Sequence, residues 1–446
     1  MSGLRIVSSD GSVPSVVIHD PPSGIYRQLR YVPAPPQDAE AIDVTETAEI
    51  AFHGTEAQVL TLKADLERLC QQARTYATRQ VGPRIYVEFR SRDSDPWYRS
   101  ELFAGRVSPH ERALDSHMLP AGELHLALHL TRDVSWEGPS TPLTLSNGHG
   151  TGTEVAVYST NDATYDHWAT ITTPIAGELP APLRLEYENR TSGPRRTAVV
   201  LVGHSAFTSG ITTSQLTLEN SAMTFFGGSL INGAYSGGNA RSWTVSGETF
   251  LGYWTLPSAL LQAALGQPFQ FVLRTYLPTD IEVRYSLRIA NLTPLFISPW
   301  QRVTNGHTHH MGPQQRLPPY AYGLAVAMAP ITLSIEARPV PGVSSGTLQL
   351  DALHLIPAES LRILRPIGYN LAQNVTLVDD PSTAQIYTAG WAGGALGNYV
   401  ADGLPIMLQP GRTNRLFVLA NDDSGGADVS RYGVLRCSYR PRRVTL

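Results

Sequence analysis

The sequence predicts a mainly β protein, in which a β-sandwich with one flanking α-helix is followed by a larger β-sandwich of jelly-roll type. Three observations carry that prediction. Short stretches alternate apolar and polar residues along most of the chain. The 446 residues include 38 glycines and 33 prolines, which supply many turns between short strands. A single long stripe, Val59, Leu62, Leu66, Leu69 and Ala73, recurs at three- and four-residue steps as a surface helix requires. A chain of this length exceeds what one core usually spans, so two or three domains are expected.

Taken in order, strand candidates come first at Leu4 to Ser8, Ser15 to His19 and Ile25 to Val32, separated by Gly, Pro and Asp. In the next stretch Ile42, Val44, Ala48, Ile50 and Phe52 fall on one side of a period-2 strand, and Asp43, Thr45, Thr47, Glu49 and His53 on the other. Glu46 lands on the apolar side, which predicts a solvated strand start or a bulge. Gly54 breaks the strand. Thr55 and Gln58 then form a capping box, each side chain meeting a backbone N–H that the helix start leaves unpaired. The stripe places a helix over 56–76, stopped by Gly82-Pro83. Beyond it Ile85, Val87 and Phe89 alternate with Arg84, Tyr86, Glu88 and Arg90, a turn is expected around Asp93 to Pro96, and the chain returns to Val107 as a hairpin. Leu124, Leu126, Leu128 and Leu130 then alternate with polar residues in the clearest strand of the sequence; His125 and His129 share its polar face and read as a solvated pair.

A strand, a lone helix and a hairpin make an α+β unit whose helix covers one face of an antiparallel sheet. In this order the stretch from Ile42 to Val107 resembles the tube-forming domain of long-tailed bacteriophage tail proteins, including the distal tail and baseplate-hub family. The resemblance covers residues 1–135. It implies a tail-tube-type β-sandwich that joins copies of itself, and other phage tail proteins, in a ring of the virion assembled in the host cytoplasm, with DNA passing non-specifically through the lumen. Asp43 and Glu49 would then line that lumen and repel phosphate. The plainer reading is a solvated outer face.

Residues 136–180, rich in Gly, Thr, Ser and Pro, read as a connecting β segment, and 181–365 as the jelly-roll block of regular short strands with one short helix at Ser258 to Leu265. This block resembles the galectin-like or carbohydrate-binding sandwiches carried by many distal tail and baseplate proteins, which implies a host-surface glycan as partner. Tyr235, Trp243, Tyr253 and Trp254 are the candidates for stacking on sugar rings, with core packing as the competing reading. Residues 366–446 form a C-terminal β segment that completes the first domain or packs on the second.

Composition limits the functions. A net charge of −4 offers no global basic surface for nucleic acid. Lys63 is the only lysine, a compositional bias without functional content. Cys70 and Cys437, the only cysteines, read as small buried hydrophobes. No apolar run is long enough to span a bilayer, so no membrane insertion is expected. Ala198 to Ala206, AVVLVGHSA, approaches a nucleophile elbow at Ser205, but Phe207 stands where the motif wants glycine. His307 and His309 could pair as metal ligands in a Gly-rich loop that lacks a Cys or carboxylate, the plainer reading being a polar loop at a domain or subunit contact. Asp379-Asp380 and Asp422-Asp423 lack calcium-loop spacing and read as turn acids. The sequons at Asn189, Asn291 and Asn374 carry no weight without a secretory signal. The sequence therefore reads as a non-enzymatic tail protein without metal or cofactor, the alternative being a bacterial carbohydrate-binding multidomain β protein.

Overall fold

The structure is a computed structural model that describes residues 2–23, 25, 28–36, 41–109, 123–158, 167–190, 199–206, 216–232, 235, 238–263, 267–290, 293–303, 309–316, 330–366, 371–389, 399–421 and 432–446. It is mainly β and forms two units. The first comprises Met1–Thr141, Ala176–Ala181 and Tyr439–Leu446, and the second Pro142–Ile175 and Pro182–Ser438.

The first unit contains β1 (Gly3–Ser8), β2 (Val16–His19), β3 (Gln28–Arg30), β4 (Asp43–His53), helix α1 (Glu56–Arg79), β5 (Ile85–Arg90), β6 (Tyr98–Pro109) and β7 (Glu123–Asp133). The strands form one antiparallel sheet in the order β2-β1-β5-β6-β7-β4-β3, to which Trp136–Glu137 and Arg442–Arg443 add short pieces. Strand β6 is long and bulged between Leu102 and Ala104, which lets it serve both halves of the sheet. The strands at the ends of the order, β2 and β3, come within 8 Å of one another, so the sheet curls almost closed.

Helix α1 begins at the predicted capping box, with both reciprocal bonds of Thr55 and Gln58 in place. It runs past Tyr76 to Arg79 and ends because Gln80 turns left-handed at φ 55°, its N–H bonded to the Tyr76 carbonyl. The stop thus precedes Gly82-Pro83. Leu62, Leu66, Leu69, Cys70, Ala73 and Tyr76 face the sheet and are buried, worth about 1.5–3 kcal/mol for each leucine. The helix lies so close to β6 that a Cβ on Gly105 would stand 2.4 Å from Cys70 Sγ. Burial pushes the Cys70 thiol up to about 11, so it packs as a neutral hydrophobe, and Cys437 is likewise buried and free.

Strand β4 alternates as its sequence does, with Val44, Ala48, Ile50 and Phe52 in the core. Ile42 is exposed because the strand starts one residue after it. Glu46 corrects the expectation of solvent or a bulge: β4 pairs with β7 without a register shift, and Glu46 is buried. Its carboxylate accepts from Arg132 Nε at 2.7 Å and Nη2 at 3.2 Å, from the Ala34 N–H at 2.9 Å and from the Tyr31 hydroxyl. Arg132 is fully buried, stacks 4.2 Å from the Trp136 ring, and gives its remaining N–H groups to the Asp133 and Ala34 carbonyls. Burial, and then the charge of Glu46, raise the Tyr31 hydroxyl well above its usual range. The knot ties β4, β7 and the chain before β4 at one point.

The second unit holds two sandwiches. In one, a seven-stranded sheet runs Gly150–Gly152, Leu145–Asn147, Trp168–Ile171, Arg415–Asn421, Val199–Ser205, Ser360–Pro366, Tyr399–Asp402. Its partner sheet runs Glu154–Tyr158, Tyr432–Tyr439, Ala181–Asn189, Thr376–Asp380, Gln385–Ala389. Strands from 136–180 and from 366–446 thus pair together here, while 136–141, Ala176–Ala181 and Tyr439–Leu446 belong to the first unit.

Between Thr217 and Pro357 lies the second sandwich, inserted into the first and built of two six-stranded sheets. One runs Ser229–Asn232, Asn239–Val245, Gly346–Pro357, Pro268–Thr279, His309–Arg316, and the other Thr224–Phe225, Thr249–Thr255, Ile331–Pro339, Ile281–Ile289, Thr293–Ile297. The short helix spans Ser258–Ala263. Trp243, Leu251, Trp254, Phe271, Tyr285, Leu333 and Leu350 fill the interior, and the same core continues to Leu201, Phe417 and Leu419 of the seven-stranded sheet. The strand expected at Tyr322 to Met328 lies outside the described residues.

Removing one partner of the Glu46–Arg132 pair strands a buried charge, so Glu46→Ala is expected to destabilise the first unit by about 3–5 kcal/mol. The double variant Glu46→Leu/Arg132→Met should lose less than Glu46→Ala alone, as measured by denaturant unfolding.

Candidate assembly surfaces

Period-2 alternation gives β4 and β7 a second face, turned away from the helix. Along it Asp43 lies opposite Asp133, Thr45 opposite Thr131, Thr47 opposite His129 and Glu49 opposite Ala127. Thr45 bonds Thr131 at 3.3 Å, and His129 bonds Thr47 and Ser108 at 3.0 Å each, so this histidine joins three strands rather than standing free in solvent. Asp43 is exposed, whereas Glu49 is half-buried with Arg30 at 3.6 Å. Asp133 meets Arg442 at 3.4 Å, and Arg106 sits opposite His129. The face is therefore polar, with Asp43 exposed, and arginines from neighbouring strands interleave with its carboxylates.

A second surface lies at one margin of the inserted sandwich. Thr224–Phe225 ends one six-stranded sheet and Ser229–Asn232 ends the other, and only Phe226-Gly227-Gly228 separates them in the chain. Phe225, Phe226 and Leu230 are 45%, 53% and 56% exposed, an unusual grouping of large apolar side chains on adjoining edges. The margin is held rigidly. Arg241 covers the Phe225 ring with its Cζ 3.2 Å from the centroid and donates to the Gly227 and Gly228 carbonyls at 3.3 and 3.2 Å. The Trp243 indole N–H donates to the Phe226 carbonyl at 3.0 Å, and Phe226 meets Phe250 edge-on at 5.4 Å. At the opposite margin Thr293–Ile297 ends its sheet with Ile297 exposed. Sequence reasoning missed these residues; adjacent phenylalanines before a Gly-Gly turn were the available signal.

The four sugar-stacking candidates are not brought together on a surface. Trp243, Trp254 and Tyr235 are buried, Trp254 with its indole N–H bonded to the Glu219 carbonyl and Tyr235 edge-on to Tyr276 at 5.9 Å. Tyr253 is half-buried. A ring in the core offers no face to a sugar, so core packing, the competing reading, describes three of the four.

The Gly-His-Ser run is the middle and end of a strand, not an elbow. Gly203 is required because a Cβ there would stand 2.3 Å from Ile356 Cγ2 and 2.5 Å from the Pro357 carbonyl oxygen of the neighbouring sheet. His204 is buried, bonds Asn414 at 2.9 Å, and is held below its ordinary pKa by burial. Ser205 lies on the opposite strand face, fully buried, its hydroxyl without a hydrogen-bond partner among the described residues. Asp380 is a turn acid, its carboxylate accepting from the Ser382 N–H at 3.0 Å and hydroxyl at 2.6 Å, whereas Asp379 lies within its strand and is engaged by an arginine. Asp379 accepts from Arg362 at 2.8 and 3.0 Å, and Asp380 from Arg184 at 3.2 Å. His307, Asp422 and Asp423 lie outside the described residues. Among the described residues no cluster of His, Cys, Asp or Glu is arranged to hold a metal ion, and no helix is long and apolar enough to cross a membrane.

No family model and no curated protein matches the chain. Among solved structures it is similar to a chain of the phage P2 baseplate in its activated conformation with calcium, at 9% identity and a TM-score of 0.29, covering 99% of this chain and 98% of that one. It also matches a structure of infectious bursal disease virus, Gx strain, at 9% identity and a TM-score of 0.16 over 69% of this chain and 81% of that one. TM-scores this low establish neither a shared fold nor a shared activity.

A buried hydroxyl with no partner contributes nothing to folding, so Ser205→Ala should melt at or above the parent temperature in a thermal scan. Any ester-cleaving activity of the protein should be unchanged by it.

Proposed function

We propose that the chain is a structural protein of a bacteriophage tail that assembles with its own copies into a ring of the distal tail, the baseplate or the tail tube, through which DNA passes. The observation that carries the proposal is helix α1, the one α-helix among the described residues of the first unit, lying across a nearly closed antiparallel sheet, the arrangement that the order of elements between Ile42 and Val107 implied. Closed rings need two complementary patches on every copy, and pairing strand margins between copies protects edges that would otherwise recruit other chains. The Phe225, Phe226 and Leu230 margin of one copy meets the Thr293–Ile297 margin of the next. The β4–β7 face turns to the lumen, where its interleaved acids and arginines give DNA phosphates no net attraction. Other tail proteins bind the ring above and below.

The carbohydrate-binding alternative needs an aromatic platform, and the four rings nominated for it do not form one.

The purified full-length protein should form rings in negative-stain images and sediment as an oligomer. The variant Phe226→Asp/Leu230→Asp should be monomeric by light scattering with an unchanged circular dichroism spectrum. A monomeric parent protein at micromolar concentration would overturn the assignment.

A further inference from the structure

Within the second unit, the seven-stranded sheet containing Val199–Ser205 and the six-stranded sheet containing Gly346–Pro357 face each other, as the approach of Gly203 to Ile356 shows. Most of what fills sheet interfaces in this unit is aliphatic. Here a row of titratable side chains interrupts it.

The row is set by register. A bulge at Asp351 reverses the strand faces, so that Leu353 and Leu355 point into the inserted sandwich while His354 and Ile356 point toward the seven-stranded sheet. Thr217 and Val272 pair with His354, and His309 lies opposite Arg274 in the adjoining row. From the other sheet come His167, which immediately precedes Trp168–Ile171, and Phe417. The His354 ring lies 5.2 Å from the His167 ring and 5.7 Å from the His309 ring. The Thr217 hydroxyl sits between His167 Nε2 and His354 Nδ1, 3.2 Å from each. Phe417 closes the layer with its centroid 4.1 Å from His167 and 6.3 Å from His354. His167 and His354 are both fully buried.

The charges around this row are unfavourable to further cations. Arg274 faces His354, and its counter-ion Asp351 is engaged with it at 2.8 Å, both side chains almost fully buried. Glu219 stands opposite Ala352 in the row of Arg274, and Arg415 stacks on Trp168 beside His167, 4.9 Å from its ring. Burial first, then His167, His309 and Arg274, hold His354 well below its ordinary value.

We propose that this row is an acid-sensitive joint between the two sandwiches of the second unit. Near neutral pH the buried His354 imidazole is uncharged and the layer is closed. A protein with the layer opened exposes it to water, where it titrates normally. Since His354 has a depressed value when buried, the opened form takes up more protons as pH falls. The closed form is favoured above the ordinary histidine value of about 6.5 and loses ground below it. Each histidine that is protonated only when the layer opens raises the opening constant about tenfold between pH 7 and pH 5.5. The joint lies within one unit and does not depend on ring formation, so it stands or falls separately from the proposed function.

The test is hydrogen–deuterium exchange on the full-length protein from pH 7.5 to 5.5, corrected for intrinsic exchange rates. Protection in Gly346–Pro357 and Arg415–Asn421 should fall at least tenfold while β4 and β7 of the first unit keep theirs, reversibly on return to neutral pH. His354→Gln should blunt the loss. If that variant fails to fold, His354→Asn should do the same, because removing the ring takes its proton from the linkage. Unchanged protection in those strands down to pH 5.5, equal loss in both units, or the same loss in the His354 variants would overturn the proposal.

Discussion

An apolar sheet face must be covered, and the ways in which this chain covers its faces account for most of its architecture. Among the described residues of the first unit a single α-helix does so, and the sheet curls around it because one helix is narrower than a strand array. Curling in turn requires the bulge in β6 and the glycine at position 105, where Cys70 presses against the strand. The Glu46–Arg132 knot belongs to the same constraint. Where the helix no longer covers the sheet, the start of β4 is sealed instead by the segment carrying Tyr31 and Ala34, and two buried charges satisfy its exposed backbone groups as well as each other.

This explains which parts of the fold were legible. Period-2 alternation survives in β4 and β7 because one face is in the core and the other is polar, and the capping box at Thr55 and Gln58 is a local device that needs no tertiary partner. Glu46 was visible as a break in the alternation. Its meaning was not, since the side chain that completes it comes from β7, far along the sequence, and a lone carboxylate on an apolar face reads as a defect until its arginine is known.

The second unit was harder to read for the converse reason. Its seven-stranded sheet is covered on both sides, with Leu201 in the core shared with the inserted sandwich and Val200 and Val202 buried on the other face. A strand of that kind loses its polar alternation and becomes a continuous apolar run. AVVLVGHSA is such a run. Its likeness to a nucleophile elbow arose from two packing requirements: glycine where sheets touch, and polar residues at a strand end that happens to be buried. The insertion of 217–357 between two halves of one sandwich hid the pairing of 154–158 with 432–439, because no local pattern reports a partner so distant.

The same constraint bears on the surfaces left open. Trp243 and Trp254, for which sugar stacking competed with core packing, are among the side chains that fill the inserted sandwich, as large aromatics in a sandwich interior should. Phe225, Phe226 and Leu230 are apolar and yet stand on or beside strands that are paired on one side only among the described residues, at edges where charged residues or proline would ordinarily discourage contact. Arg241 does not play that role: its guanidinium is spent on the Phe225 ring and two loop carbonyls, which fixes the margin in place. An apolar edge held in place in this way is costly to leave in water, and among the described residues no strand covers it, which is why the proposed ring contact is placed there.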